Sequence, residues 1–269
     1  MLGKKQNVKK VQAGRKVTFR QTYQYHLLML PGFLVLFIYT IIPFFGNIMA
    51  FQNFQPILGF FKSRWVGLDN FRHMLMLPDT ARIFRNSFVI AVGKLVFTMV
   101  FSILFAILLN EINHIKFKKT IQTICFLPHF LSWVTVAGML RDILGLDGII
   151  NVFLQKIGME PVFFLGEAGM FRQIAVLSDL WKGFGFGMIV YLAAISNIDQ
   201  NLYEAAEMDG ANKWQQTLHI TLPGIMPMVI VMATLSLGNV LNAGFDQIFN
   251  LYSPLTYSTG DIIDTYVYR

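Results

Sequence analysis

Charge is scarce in this 269-residue chain, so a charged side chain set in apolar sequence is a candidate for chemistry. Asp179 and Lys182 stand three apart, a spacing that lets them pair on one helix face, and Lys94 is the single charge in the apolar stretch 87–109. Ionisable groups at membrane depth mark functional sites by default. Two readings are open for Asp179 and Lys182: a proton relay, or an ion pair facing a cavity or lying near the outer surface. Lys94 is expected to snorkel toward the outer surface. A second set, Trp133, Trp181, Asn239, Asn242 and Asp246, has the aromatic faces and polar groups that hold carbohydrate, although each alone reads better as a packing or interface residue. The third set is the acidic run YEAAEMDGANKWQQTLHITLPG (203–224) with Asp199 just before it, where Asp199, Glu204, Glu207 and Asp209 face one lysine, Lys213.

Other chemistries lack their residues. His26, His73, His114, His129 and His219 are dispersed, and no HExxH pair, Walker sequence or Ser-His-Asp spacing is present. Gly183, Gly185 and Gly187 lie in an apolar segment with no strand before them, so close helix packing or a kink is expected there rather than nucleotide binding. The one cysteine, Cys125, excludes an internal disulfide and any CxxC site. No metal or cofactor site in this chain is expected.

The elements that must position these groups are membrane spans. Hydrophobic residues make up 55% of the chain and charged ones 14%, against about 25% charged in ordinary soluble domains. Five stretches reach the ~20 residues a bilayer requires: 27–51, 87–109, 120–140, 170–195 and 224–245. The net charge of +7 does not point to nucleic acid. Lys4, Lys5, Lys9, Lys10, Arg15, Lys16 and Arg20 form a basic tail within 1–26, an orientation signal that puts the N-terminus in the cytoplasm. Lys116, Lys118 and Lys119 then mark a second inner loop, and 196–223 is a third. Residues 27–269 form one transmembrane domain, all-α and multi-pass, with lipid as its solvent. Five spans leave the C-terminus outside.

Within the third inner loop, Asp199 is placed to cap a helix from about 200 to 209, Gly210 to end it, and Asn212 with Gln215 to start a second helix that Pro223 breaks. Ala205 and Ala206 beside Glu204 give a small, acid-edged face. Four acidic residues oppose adsorption to an anionic inner leaflet, so docking to another protein is the better reading.

Glu204-Ala205-Ala206, Asp209-Gly210-Ala211, Trp214 and Ile220-Thr221-Leu222-Pro223 resemble the EAA loop of maltose-type, binding-protein-dependent ABC importer permeases. WVGLDNF (65–71), LPHFLSWV (127–134), WKGFGFG (181–187), GFDQIF (244–249) and DTYVYR (264–269) are similar to the polysaccharide and oligosaccharide subgroup of that family. The resemblance implies a non-catalytic permease subunit in a bacterial cytoplasmic membrane, forming half of a path for an oligosaccharide. Its partners would be a second permease in a heterodimer, two copies of a cytoplasmic ATPase that binds ATP and Mg²⁺, and an extracellular solute-binding protein. Glu204, Ala205, Ala206, Asp209, Gly210 and Ala211 would form the ATPase-coupling surface. The family also implies a sixth span, which does not follow DTYVYR in this sequence. The alternative is a proton- or ion-coupled carrier using Asp179, Lys182 and Lys94, which gives the acidic loop no role.

Overall fold

The computed structural model describes residues 19–238, 240 and 242–269, so most of the basic tail and Asn239 lie outside the described residues. The chain divides into two units, 1–77 and 78–269.

In the first unit, α1 (Phe19–Leu36) continues through a π turn at Phe37–Ile41 and a 3-10 stretch at Phe45–Phe51. The apolar length Tyr25–Phe51 is long enough to cross a bilayer, and its side chains are exposed, as suits a helix whose solvent is lipid. The chain then turns back as a two-stranded antiparallel ladder. In it β1 (Gln52–Asn53) pairs with β2 (Arg64–Trp65), and α2 (Asp69–Met76) follows. This ladder is the one exception to the all-helical expectation among the described residues.

The second unit is built on α3 (Thr80–Asn110) and α7 (Ala168–Ser196), which lie parallel and form its most extensive pairing. Two buried clusters set their register. Ile90 and Ala91 pack with Phe171 and Ala175 near the N-terminal ends, and Ala106 and Leu109 pack with Met188, Leu192 and Ile195 near the C-terminal ends. Glycine permits the close approach of α7. A Cβ at Gly185 would strike the Cys125 carbonyl, and one at Gly187 would strike Ser102, whose hydroxyl donates to Phe184 O at 2.9 Å. Packing, then, accounts for two of the three glycines. Gly183 has ordinary room, with the nearest atom, Thr98 Cγ2, 3.4 Å away.

The expected third span is not one straight helix. Residues Ile115–Phe130, beginning with α4 (Ile115–Phe126), meet Trp133–Lys156 at 101°. Pro128 tightens the end of the first piece into a 3-10 turn, and the extended Ser132 caps the next helix by accepting from Thr135 N–H. That second piece comprises α5 (Trp133–Leu144) and α6 (Ile149–Lys156). Among the described residues, four helices are long and apolar enough to span, or up to five if the bent pair is one span.

After α7 come α8 (Gln200–Met208) and α9 (Lys213–Leu237). Pro223 does not break the chain here, contrary to expectation. A π turn at Thr217–Thr221, in which Leu222 N–H bonds to Thr217 O, widens the helix just before the proline, and α9 runs on as one helix. The same device precedes Pro43, where Ile42 N–H bonds to Phe37 O. A wide turn relieves the clash between a pyrrolidine ring and the carbonyl of the preceding turn. The apolar run expected at 224–245 stops being helical at Leu237, and Gly244 adopts φ +91° before α10 (Phe245–Leu251). Gln247 ties α10 to α7, donating to Ala175 O and Ser178 Oγ at 2.7 Å each. The final helix is α11 (Ile263–Tyr268).

Candidate functional site

Two places in the second unit concentrate the candidate residues. The first is the hairpin of α8 and α9. Asp199 accepts from Asn201 N–H at 3.0 Å, and Gly210 takes φ +82° to end the turn. Asn212 and Gln215 exchange bonds as a capping box at 2.9 and 2.8 Å. The hairpin is clamped from inside: Tyr203 Oη and Thr221 Oγ1 lie 2.9 Å apart, and Gln216, which is buried, donates to Ala211 O at 3.3 Å. Gly224 lets Ile198 fit against α9 just after Pro223; a Cβ there would lie 2.6 Å from Ile198 Cδ1. The clamp turns a defined surface outward. Glu204, Ala205, Asp209 and Gly210 are exposed, Ala206 and Ala211 half-buried, and no ion pair within the described residues neutralises Glu204, Glu207 or Asp209. Leu202, Trp214 and Met208 add exposed apolar area, with Met208 at 88%. Met208 escaped the sequence reading; an exposed methionine gives no periodic signal. A groove of about 290 Å³ between Ala206, Gly210, Gln215 and His219 lies at the hairpin's base.

The second place is a cavity of about 310 Å³ between the two buried clusters. Its wall from α3 is Ala91, Lys94, Leu95, Thr98 and Ser102, its wall from α7 is Asp179, Gly187 and Tyr191, and Asn242 closes it. Here two expectations are corrected. Lys94 does not snorkel. Its helix begins at Thr80, which puts it mid-helix, buried, donating to Ala243 O at 2.6 Å and paired with Asp179 at 3.8 Å. Lys182 points elsewhere, donating to His129 O at 2.8 Å with its ammonium 5.4 Å from the centre of the Trp133 ring. The i,i+3 pairing of Asp179 with Lys182 is therefore replaced by a pair across two helices. A group on a neighbouring helix at the same depth outcompeted the local one. Thr98 Oγ1 is buried in this wall without a hydrogen-bond partner among the described residues.

The carbohydrate candidates do not form one site. Asn242 lines the cavity, Trp133 belongs with Lys182 and the stacked rings of Phe126, His129 and Phe186, Trp181 is exposed, and Asp246 is exposed on α10. Asn239 lies outside the described residues.

Bilayer-length helices with a Lys94–Asp179 ion pair at a cavity between two of them, and a capped hydrophilic hairpin at one end, define a membrane transport subunit. Residues 102–268 match the family described as the binding-protein-dependent transport system inner membrane component, and the chain belongs to that family. Its sequence is 40% identical to Protein LplB of Bacillus subtilis (strain 168) over 244 residues, covering 90% of this chain and 77% of that protein. It is 38% identical to the polygalacturonan/rhamnogalacturonan transport system permease protein YteP of the same organism, over 93% of this chain and 78% of that one. A solved bacterial ABC transporter involved in the import of the acidic polysaccharide alginate superposes with a TM-score of 0.84 at 38% identity, covering 93% of this chain and 85% of that one. The alginate transporter in complex with an alginate pentasaccharide-bound periplasmic protein gives 0.85 at 36% identity, covering 93% and 84%. None of these relatives supports the proton- or ion-coupled carrier.

Proposed function

We propose that this chain is the membrane-spanning subunit of an ATP-driven glycan importer and that α8 is the lever through which a separate ATPase moves it. The chain supplies half of the path, and a second permease of similar fold supplies the other half. Two ATPase copies bind ATP and Mg²⁺ on the cytoplasmic side, and a solute-binding protein delivers the glycan outside. The α8 hairpin then faces the cytoplasm, as does the N-terminus, and the membrane is the bacterial cytoplasmic one.

The observation that carries this reading is the surface of α8: rigidly capped at both ends, small at Ala205 and Ala206, unneutralised at Glu204, and flanked by exposed Met208 and Trp214. Such a surface fits a groove containing a cation, because a carboxylate meeting an arginine there makes a charge-assisted bond. The cavity of Lys94, Asp179 and Asn242 is the part of the path within this chain, and the relatives named for glycans support an oligosaccharide as its cargo.

The test is sugar-stimulated ATP hydrolysis by the complete complex in lipid bilayers. Glu204→Ala is expected to lower the stimulation about tenfold or more, since loss of one charge-assisted bond is worth about 1.5–3 kcal/mol. Gly210→Val is expected to lower it too, by straining the φ +82° turn that sets the hairpin, both with the assembled permease pair retained. Wild-type stimulation in both variants would remove the lever.

A further inference from the structure

We propose that a pocket built by Arg85 and Arg172 binds the carboxylate of an acidic sugar unit on its way into the cavity, so that the cargo belongs to the uronate-bearing glycans. The inference rests on the importer reading and names its substrate class.

Three arginines share this pocket at the N-terminal ends of α3 and α7, the ends opposite α8. It measures about 530 Å³ and is lined by Arg82, Arg85, Asn86, Arg172, Ser258 and Thr259. Arg82 is neutralised by Asp79 at 2.7 Å. Arg172 is held in place, its Nη2 donating to Asn86 Oδ1 at 2.7 Å and its Nε to Thr259 O at 3.3 Å. Asn86 is fully buried and committed, since its amide nitrogen donates to Ser258 O and Asp261 O at 3.2 and 3.1 Å. The nearby Asp261 carboxylate is also committed, to Arg269 at 2.9 Å and Thr265 at 2.8 Å. A guanidinium carries five N–H donors, so Arg172 keeps several free after these bonds. Arg85 is exposed and makes no hydrogen bond or ion pair among the described residues. Two cationic forks thus face one concavity without a counter-ion. Planar forks match a carboxylate bidentately.

The same two helices carry this pocket and the cavity. On α3, Arg85, Phe88, Ala91, Leu95, Thr98 and Ser102 recur at intervals of three and four, one continuous stripe whose last four members line the cavity. On α7, Arg172 and Asp179 are seven apart, two turns on the same face and ~10 Å along the axis. Phe88, 59% exposed, stands one turn below Arg85 and offers a ring face to a sugar. Cation, ring and the cavity of Lys94 and Asp179 follow in that order along one face of α3, an arrangement that suits a charged sugar chain better than a lipid headgroup, which needs no route between the helices.

The complete complex in lipid nanodiscs, without its solute-binding protein, is offered oligogalacturonate or the same oligomer with every carboxyl methyl-esterified. Expected is tighter binding of the charged form, weakened about tenfold by Arg85→Gln and partly restored by Arg85→Lys, with the ester unaffected. Arg85 makes no hydrogen bond or ion pair among the described residues, so loss of assembly is not expected. Equal effects on both forms, or no effect, would overturn the proposal. So would an Arg85→Gln defect confined to docking of the sugar-free binding protein, or one that disappears when anionic lipids are omitted. A wild-type complex in liposomes, supplied with its binding protein, that imports neutral oligosaccharides but no charged ones would defeat this inference alone. One that imports no glycan would defeat the importer reading beneath it.

Discussion

An ammonium 2.6 Å from a carbonyl and 3.8 Å from a carboxylate, as at Lys94, leaves its partners stranded if it is removed alone. Removing one member of a buried pair costs more than removing both, because the survivor is left desolvated and unpaired. The Asp179 side chain is 30% exposed to the cavity, which softens the penalty to about 2 kcal/mol. Lys94→Met and Asp179→Leu are each expected to lower the thermal midpoint of the purified complex, and the double variant to recover part of the loss. Recovery stays incomplete because Ala243 O has no donor once Lys94 is replaced. A double-mutant cycle measures this. The glycines give a sharper contrast. Gly185→Ala drives a methyl into the Cys125 backbone and is expected to destabilise by about 1–3 kcal/mol, whereas Gly183→Ala should be nearly neutral. Of these features, the glycine packing was legible in sequence because the triplet sits in an apolar run without a strand before it. The partner of Lys94 was not, because pairing across two helices depends on a helix register that no local spacing encodes.

Caps are local chemistry, and at the scale of elements they were the readable part. Asp199, Gly210, Asn212 and Gln215 each act within three residues, and the hairpin has the ends they implied. Proline was misread in one place and under-read in another. At Pro223 the sequence suggested a break, but the π turn at Thr217–Thr221 absorbs the ring and leaves α9 continuous into the hairpin. At Pro128 an interruption was evident, while the 101° change of direction that follows came from Ser132 starting a new helix on its own axis. Continuity through Pro223 bears on the lever proposed for α8, whose motion would pass to the span through one stiff helix with a single wide turn. Pro223→Ala removes a residue that costs a helix about 3 kcal/mol, and it lets the wide turn relax toward α geometry. The expected result is a higher thermal midpoint with sugar-stimulated ATPase activity reduced several-fold, since the hairpin would be rotated against its partner. Unchanged stimulation would mean the wide turn serves only to accommodate the proline.

The parallel run of α3 and α7 sorts the molecule into two ends, and this sorting makes the orientation testable without transport. Ile90 with Phe171 at one end and Leu109 with Ile195 at the other fix which loops share a side. The lysines at 116, 118 and 119 follow α3 and the acidic hairpin follows α7, so both lie at one end, while Arg85, Arg172 and Ser258 lie at the other. Basic residues stand at both ends, which is why charge counting in sequence left the orientation less secure than the helix register leaves the sorting itself. A cysteine-free background, Cys125→Ala, provides the measurement. Ser258→Cys is expected to react with an impermeant maleimide on intact cells, and Met208→Cys only after the membrane is opened. Met208 is 88% exposed, so its thiol has no cover within this chain; a docked ATPase would supply it. In opened membranes, Met208→Cys should therefore label fast when the permease pair is expressed alone and at least tenfold slower with the ATPase present. Labelling of Met208→Cys from outside would invert the orientation, and a rate indifferent to the ATPase would leave the hairpin without the partner its surface fits.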